Sequence, residues 1–165
     1  MRTRVDRPRI IGTLKERLML HMIAFEVVKR LEELHPELDI DSEALEHVRL
    51  GFLREPCRKL GLCSYADQRP GRPATEFADR HNTHRILLSR ISMYEDLPDA
   101  VFTIHHEFLH TILGSEEGHG ATFQEHEHRI NSHIEEIAQF VRHATKDFEI
   151  PNSSYLVQTR VDESD

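Results

Sequence analysis

The sequence predicts a single α+β domain, and three observations carry that prediction. Apolar residues recur at helical steps over residues 13–35, through the segment from Asp99 to Gly114, and again over 122–145. Between the first two of these lie three short runs that read as strands, at 48–53, 60–66 and 84–89. At 165 residues, with 38% hydrophobic and 30% charged residues, the chain suits one soluble core that needs no covalent staples. The expected division is a flexible Arg-rich N-terminus over 1–12, the domain proper over 13–148, and a polar C-terminal tail over 149–165.

Composition excludes several classes. No apolar run approaches the length of a membrane span, and the N-terminal arginines are not followed by the hydrophobic segment of a signal peptide. Cys57 and Cys63 are too few for a disulfide scaffold, and the five residues between them do not match a zinc knuckle. They read as ordinary thiols in a reducing cytosol, so a cytoplasmic location is expected. A net charge of −8 argues against a generally nucleic-acid-binding surface.

Taken in order, Arg2, Arg4, Arg7 and Arg9 read as a solvated, frayed terminus in preference to an anion-binding patch. Thr13, with Glu16 three residues on, forms a capping box that opens the first helix, and Pro36 stops it. Leu14, Leu18, Met22, Phe25, Val28 and Leu31 would form its buried side, packed on the central helix. A helical turn is expected over Asp41–Glu46. Val48, Leu50 and Phe52 alternate with Arg49, Gly51 and Leu53 as in a strand, and Leu60–Ala66 is a second strand candidate. The run Asp67-Gln68-Arg69-Pro70-Gly71-Arg72-Pro73 is the clearest turn in the chain. His84–Ser89 reads as a strand that could accept an extended peptide at its edge, with His81 and His84 as surface residues. Beyond the central helix, Thr122 and Glu125 form a capping box for a long helix whose stripe is Phe123, Ile130, Ile134, Ile137 and Val141. His126, His128, His133 and His143 ride on it as solvated or hydrogen-bonded histidines, His126 being the reserve candidate for a metal ligand.

The chemistry concentrates in His106-Glu107-Phe108-Leu109-His110. On a helix the two histidines, four apart, project from one face at about 5–6 Å. That separation suits two nitrogens gripping one zinc ion at about 2.0–2.1 Å. Val101, Ile104, Phe108 and Ile112 form the opposite apolar stripe, and Asp96, Pro98 and Asp99 start the helix that Gly114 stops. After the polar loop Ser115-Glu116-Glu117-Gly118, His119 supplies a third imidazole. Three protein ligands leave an open position, as in a catalytic zinc site, and Glu107 stands where a general base for a zinc-bound water belongs. One zinc ion per chain is expected on His106, His110 and His119. The plainer alternative is a helix bearing two solvated histidines.

With these residues assembled, the chain resembles the SprT-like (Spartan-type) zinc metallopeptidases and their small relatives of the YgjP type. The resembling segment runs from about Arg58 to Ile130. It comprises Lys59-Leu60-Gly61-Leu62-Cys63, Ile86-Leu87-Leu88-Ser89, Leu97-Pro98, the HEFLH run, and Gly118-His119-Gly120-Ala121-Thr122-Phe123. The resemblance implies a zincin-like domain whose motif helix packs with N- and C-terminal helices and a small sheet. It also implies His119 as third ligand, Glu107 as catalytic acid/base, and protein or peptide substrates. The larger members carry a further zinc- or DNA-binding segment, and nothing after Ile130 offers paired cysteines, so crosslink repair is not inherited. Two other functions stay open. One is a zinc-dependent endoribonuclease of the YbeY type, with a His-x3-His-x5-His pattern; here eight residues separate His110 from His119. The other is a non-catalytic metal-binding module.

Overall fold

The computed structural model describes residues 11–46, 48–54, 58–65, 84–113 and 119–148. The N-terminal arginines, the turn at 67–73, His81, the loop at 115–118 and the tail at 149–165 lie outside the described residues. Helix α1 spans Leu14–Leu34 and opens on the expected capping box: Thr13 Oγ1 accepts from the Glu16 N–H at 3.1 Å, and Glu16 Oε1 accepts from the Thr13 N–H at 2.9 Å. Gly12, just before the cap, has φ +102°. A Cβ there would meet the Phe52 ring at 2.8 Å, so both conformation and space call for glycine.

The buried face of α1 is the expected one only in part: Leu31 is buried, and Met22 and Val28 pack half-buried against the core. The face consists of Met19, Leu20, Ile23, Ala24, Val27 and Leu31, whereas Leu14 and Phe25 are 48% and 67% exposed. The helix carries two overlapping apolar stripes, and its neighbours select the one with small Ala24 and β-branched Ile23 and Val27, which permit close approach. That rotation takes Glu26 inside, where Arg30 holds its carboxylate at 2.6 Å.

A single turn, α2 (Ser42–Leu45), leads into a three-stranded sheet of β1 (Arg49–Phe52), β2 (Gly61–Tyr65) and β3 (His84–Leu88). The order is β1-β3-β2, with β1 parallel and β2 antiparallel to β3. Ile86, Leu88 and Phe52 are buried in the shared core. β3 is the middle strand, so both of its edges are paired and it cannot take a peptide as expected. Alternation assigns the faces of a strand and says nothing of its place in the sheet.

Ser89 then caps a helix absent from the expectation, α3 (Arg90–Glu95), by accepting from the Ser92 N–H at 3.3 Å. Asp96 Oδ1 accepts from the Asp99 N–H at 3.1 Å and opens the central helix α4 (Leu97–Leu113). Pro98 sits in its first turn, where a missing N–H costs nothing. α4 packs against α1, β2, β3 and the last helix, with Val101, Ile104 and Phe108 fully inside.

The expected long C-terminal helix is three pieces: α5 (Ala121–Glu127), a 3-10 segment (His128–His133) and α6 (Ile134–Thr145). Gly120, not Thr122, is the N-cap of α5, and Thr122 and Glu125 are exposed on its outer face. Asn131 and Ser132 lie in the 3-10 stretch; such side chains compete for backbone partners and weaken an α-helix interior. The tighter winding still brings Ile130 into the core with Ile137 and Val141. Among the described residues no helix is long and apolar enough to cross a membrane.

Candidate metal centre

His106 and His110 stand one turn apart on α4, and His119 returns from the turn ahead of α5. Their Nε2 atoms form a triangle of 3.2 Å (His106–His110), 3.3 Å (His106–His119) and 3.0 Å (His110–His119). Four ligands at about 2.0–2.1 Å around zinc define edges of about 3.3–3.4 Å, so the three nitrogens fit such an ion. Among the described residues this is the one cluster of three metal-ligating groups whose ligand atoms converge.

The surroundings reinforce the fit. Glu127 Oε2 lies 3.2 Å from His106 Nδ1. A ring N–H donated to that carboxylate leaves the His106 Nε2 lone pair facing the other two imidazoles, an arrangement that a cation relieves. Phe123 lies beneath all three rings, with centroids 4.8, 4.5 and 5.1 Å from His106, His110 and His119. Gln124 Nε2 donates to the His119 carbonyl at 3.1 Å and steadies the returning turn. Burial holds His106 below the usual histidine range, and burial with the neighbouring His106 and His119 takes His110 down to about 4. Neutral imidazoles are the form that binds metal.

Glu107 points to the sheet side of α4 and is 6% exposed. Burial pushes its carboxyl up to about 7, against the opposing pull of the Cys63 backbone N–H and the Lys59 charge. It lies against β2: a Cβ on Gly61 would stand 3.1 Å from Glu107 Oε1 and 2.6 Å from Thr103 Cγ2, so only glycine lets the strand come this close. Cys63 is not a ligand. Its Sγ is 3.4 Å from Thr111 Oγ1, and burial raises the thiol to about 11.

A second histidine group lies deeper and was not anticipated. His35, directly after α1, is fully buried; its Nε2 is 2.9 Å from His105 Nε2 and its Nδ1 is 2.8 Å from His126 Nδ1. His126 is therefore a buried hydrogen-bonding residue and has no part in the ligand cluster. His128 and His143 are exposed, and His133 is half-buried beside Glu136. His84 opens β3 opposite Tyr65. Glu127, too, escaped the sequence reading; its one signal is an acidic residue a full helix away from the motif, which is no signal until α5 is placed. Comparison with protein-family models, curated proteins and solved structures finds no match.

Proposed function

We propose that the domain is a zinc-dependent, zincin-like metalloendopeptidase that hydrolyses peptide bonds of protein substrates. The observation that carries this reading is the convergence of His106, His110 and His119 Nε2 atoms at 3.0–3.3 Å, with a buried carboxyl, Glu107, next to them on the same helix. His106, His110 and His119 would hold the ion. Bound there, zinc supplies a Lewis acid that polarises a carbonyl and makes water acidic near neutrality. Glu107, raised to about 7, is suited to take a proton from the attacking water on its carboxylate and pass it to the leaving amine nitrogen. The role expected of β3 falls to β2. Among the described residues its outer edge has no strand partner, and Glu107 touches Gly61 on it. An extended substrate strand paired there would run beside the reacting groups. The net charge of −8 favours protein over nucleic acid as substrate, and a cytoplasmic setting fits the reading.

The test is Glu107→Gln, which keeps shape and removes the proton acceptor. Wild-type protein should cleave an unfolded protein and leave single-stranded RNA intact. The variant should retain one zinc per chain and lose hydrolysis by at least about a thousandfold. Cleavage of RNA alone would replace the reading with an endoribonuclease.

A further inference from the structure

We infer that His35 is a positioning residue for the metal centre: it sets the spacing of His106 and Glu127 by holding the residue that precedes each of them. The inference deepens the metallopeptidase reading and rests on its ligand assignment. His35 Nε2 meets His105, which precedes His106 on α4; His35 Nδ1 meets His126, which precedes Glu127 on α5. Two bridges thus join α4 to α5 side by side. The outer one is the direct contact of His106 Nδ1 with Glu127 Oε2 at 3.2 Å. The inner one runs His105–His35–His126 through two contacts of 2.9 and 2.8 Å.

The inner bridge is anchored and directional. The His35 backbone N–H donates to the Leu31 carbonyl at 2.9 Å, so the ring is fixed to the end of α1. It meets His105 edge to edge, nearly coplanar at 19° with centroids 5.1 Å apart, and meets His126 at 4.9 Å with the planes 63° apart. Glu37 Oε1 lies 3.4 Å from His126 Nδ1 and is itself held by Arg129, whose Nη1 also donates to the Leu34 carbonyl at 3.0 Å. An acidic oxygen at that end orients the protons. His126 Nδ1–H faces both Glu37 and the His35 Nδ1 lone pair, so His35 carries its proton on Nε2 and donates to His105 Nε2. His105 then carries its proton on Nδ1, which makes no hydrogen bond of ordinary geometry, while the nearby Glu127 backbone carbonyl favours a proton there. Position 35 therefore needs one acceptor and one donor on opposite sides of a planar group. Burial and His126 hold His35 neutral, in keeping with that pattern.

The experiment compares His35→Leu, which removes both hydrogen bonds, with His35→Gln, which keeps one acceptor and one donor. Leu31→Ala is the control: it opens the core one turn earlier on α1 and leaves in place the backbone carbonyl that accepts from the His35 N–H. Each folded protein is titrated with zinc against a competing chelator, and its cobalt(II) form is examined for ligand-field absorption. His35→Leu should bind zinc about 10–100-fold more weakly and shift the cobalt bands. His35→Gln should recover to within about threefold of wild type, as a general core defect would not. Leu31→Ala should unfold at lower denaturant with zinc affinity within about threefold of wild type. If His35→Leu does not fold, His126→Phe decides, since it cuts the His35–His126 link, with the Glu37 contact, and keeps the His35–His105 link; about a tenfold loss is expected. Wild-type affinity in folded His35→Leu or His126→Phe, or an equal loss in Leu31→Ala, overturns the inference while leaving the ligand assignment standing. Wild-type protein that takes up no zinc, or keeps it after loss of His106 and His110, overturns both.

Discussion

Two groups of three histidines adjoin through His105 and His106 and do opposite things. In the outer group the Nε2 atoms converge, all three mutual distances falling between 3.0 and 3.3 Å. In the inner group they run in series, His35 offering one nitrogen to each neighbour, and no point is shared. Convergence leaves lone pairs that want a cation; a series consumes each lone pair with a neighbour's N–H. The outer group opens to solvent through His119, whereas all three inner rings are buried. Residue type is the same in both, so geometry and access decide which could serve as a ligand set.

The contrast is broken most severely by emptying the outer group. A His106→Ala, His110→Ala double variant should carry no zinc by elemental analysis, against one ion per chain in wild type; retained zinc would show that the ligands lie elsewhere. Single changes sharpen it. His119→Ala removes a proposed ligand and should weaken zinc at least about a hundredfold in chelator titration, while His126→Ala, which removes only a proposed support, should stay within about tenfold. The reverse ranking would make His126 the third ligand.

The inner group should show itself through acid. His35 is lowered to about 4, chiefly by burial and then by His126 and Arg129, while an unfolded histidine titrates near 6.5. Between those values the unfolded chain binds a proton that the fold refuses, so stability is full above about pH 6.5 and falls as pH drops towards 4. In urea unfolding of metal-free protein His35 should account for a loss on the order of 2 kcal/mol from pH 7 to pH 5, and His35→Gln should flatten the slope by that share. An unchanged slope in the variant would remove His35 from the account. The smallest effect belongs to the outer bridge: Glu127→Gln should weaken zinc about tenfold, because the amide orients His106 less strongly than the carboxylate.

The outer group was legible in the sequence because its members lie close in the chain and two of them share a helical repeat. The α+β class, the capping box at Thr13 and the burial of Val101, Ile104 and Phe108 were legible for the same local reason. The inner group was not. His35 lies 70 residues from His105 and 91 from His126, and each alone is an ordinary histidine on a helix or just past its end. Strand order and the buried face of α1 likewise depend on which partner each element meets. Phe25 looked like core by type and period and stands exposed, because Ile23 and Val27 fit the neighbouring helices more closely.

The closeness in the chain of the three proposed zinc ligands has a consequence for folding. His106, His110 and His119 stay within a short stretch even when every tertiary contact is lost, and closing a loop of that size costs little entropy. The unfolded chain therefore competes for zinc with the folded one. By mass action an ion stabilises a fold only through the difference between those two affinities. Saturating zinc should thus raise the melting temperature less than its native dissociation constant implies, and part of the metal should travel with the chain through unfolding.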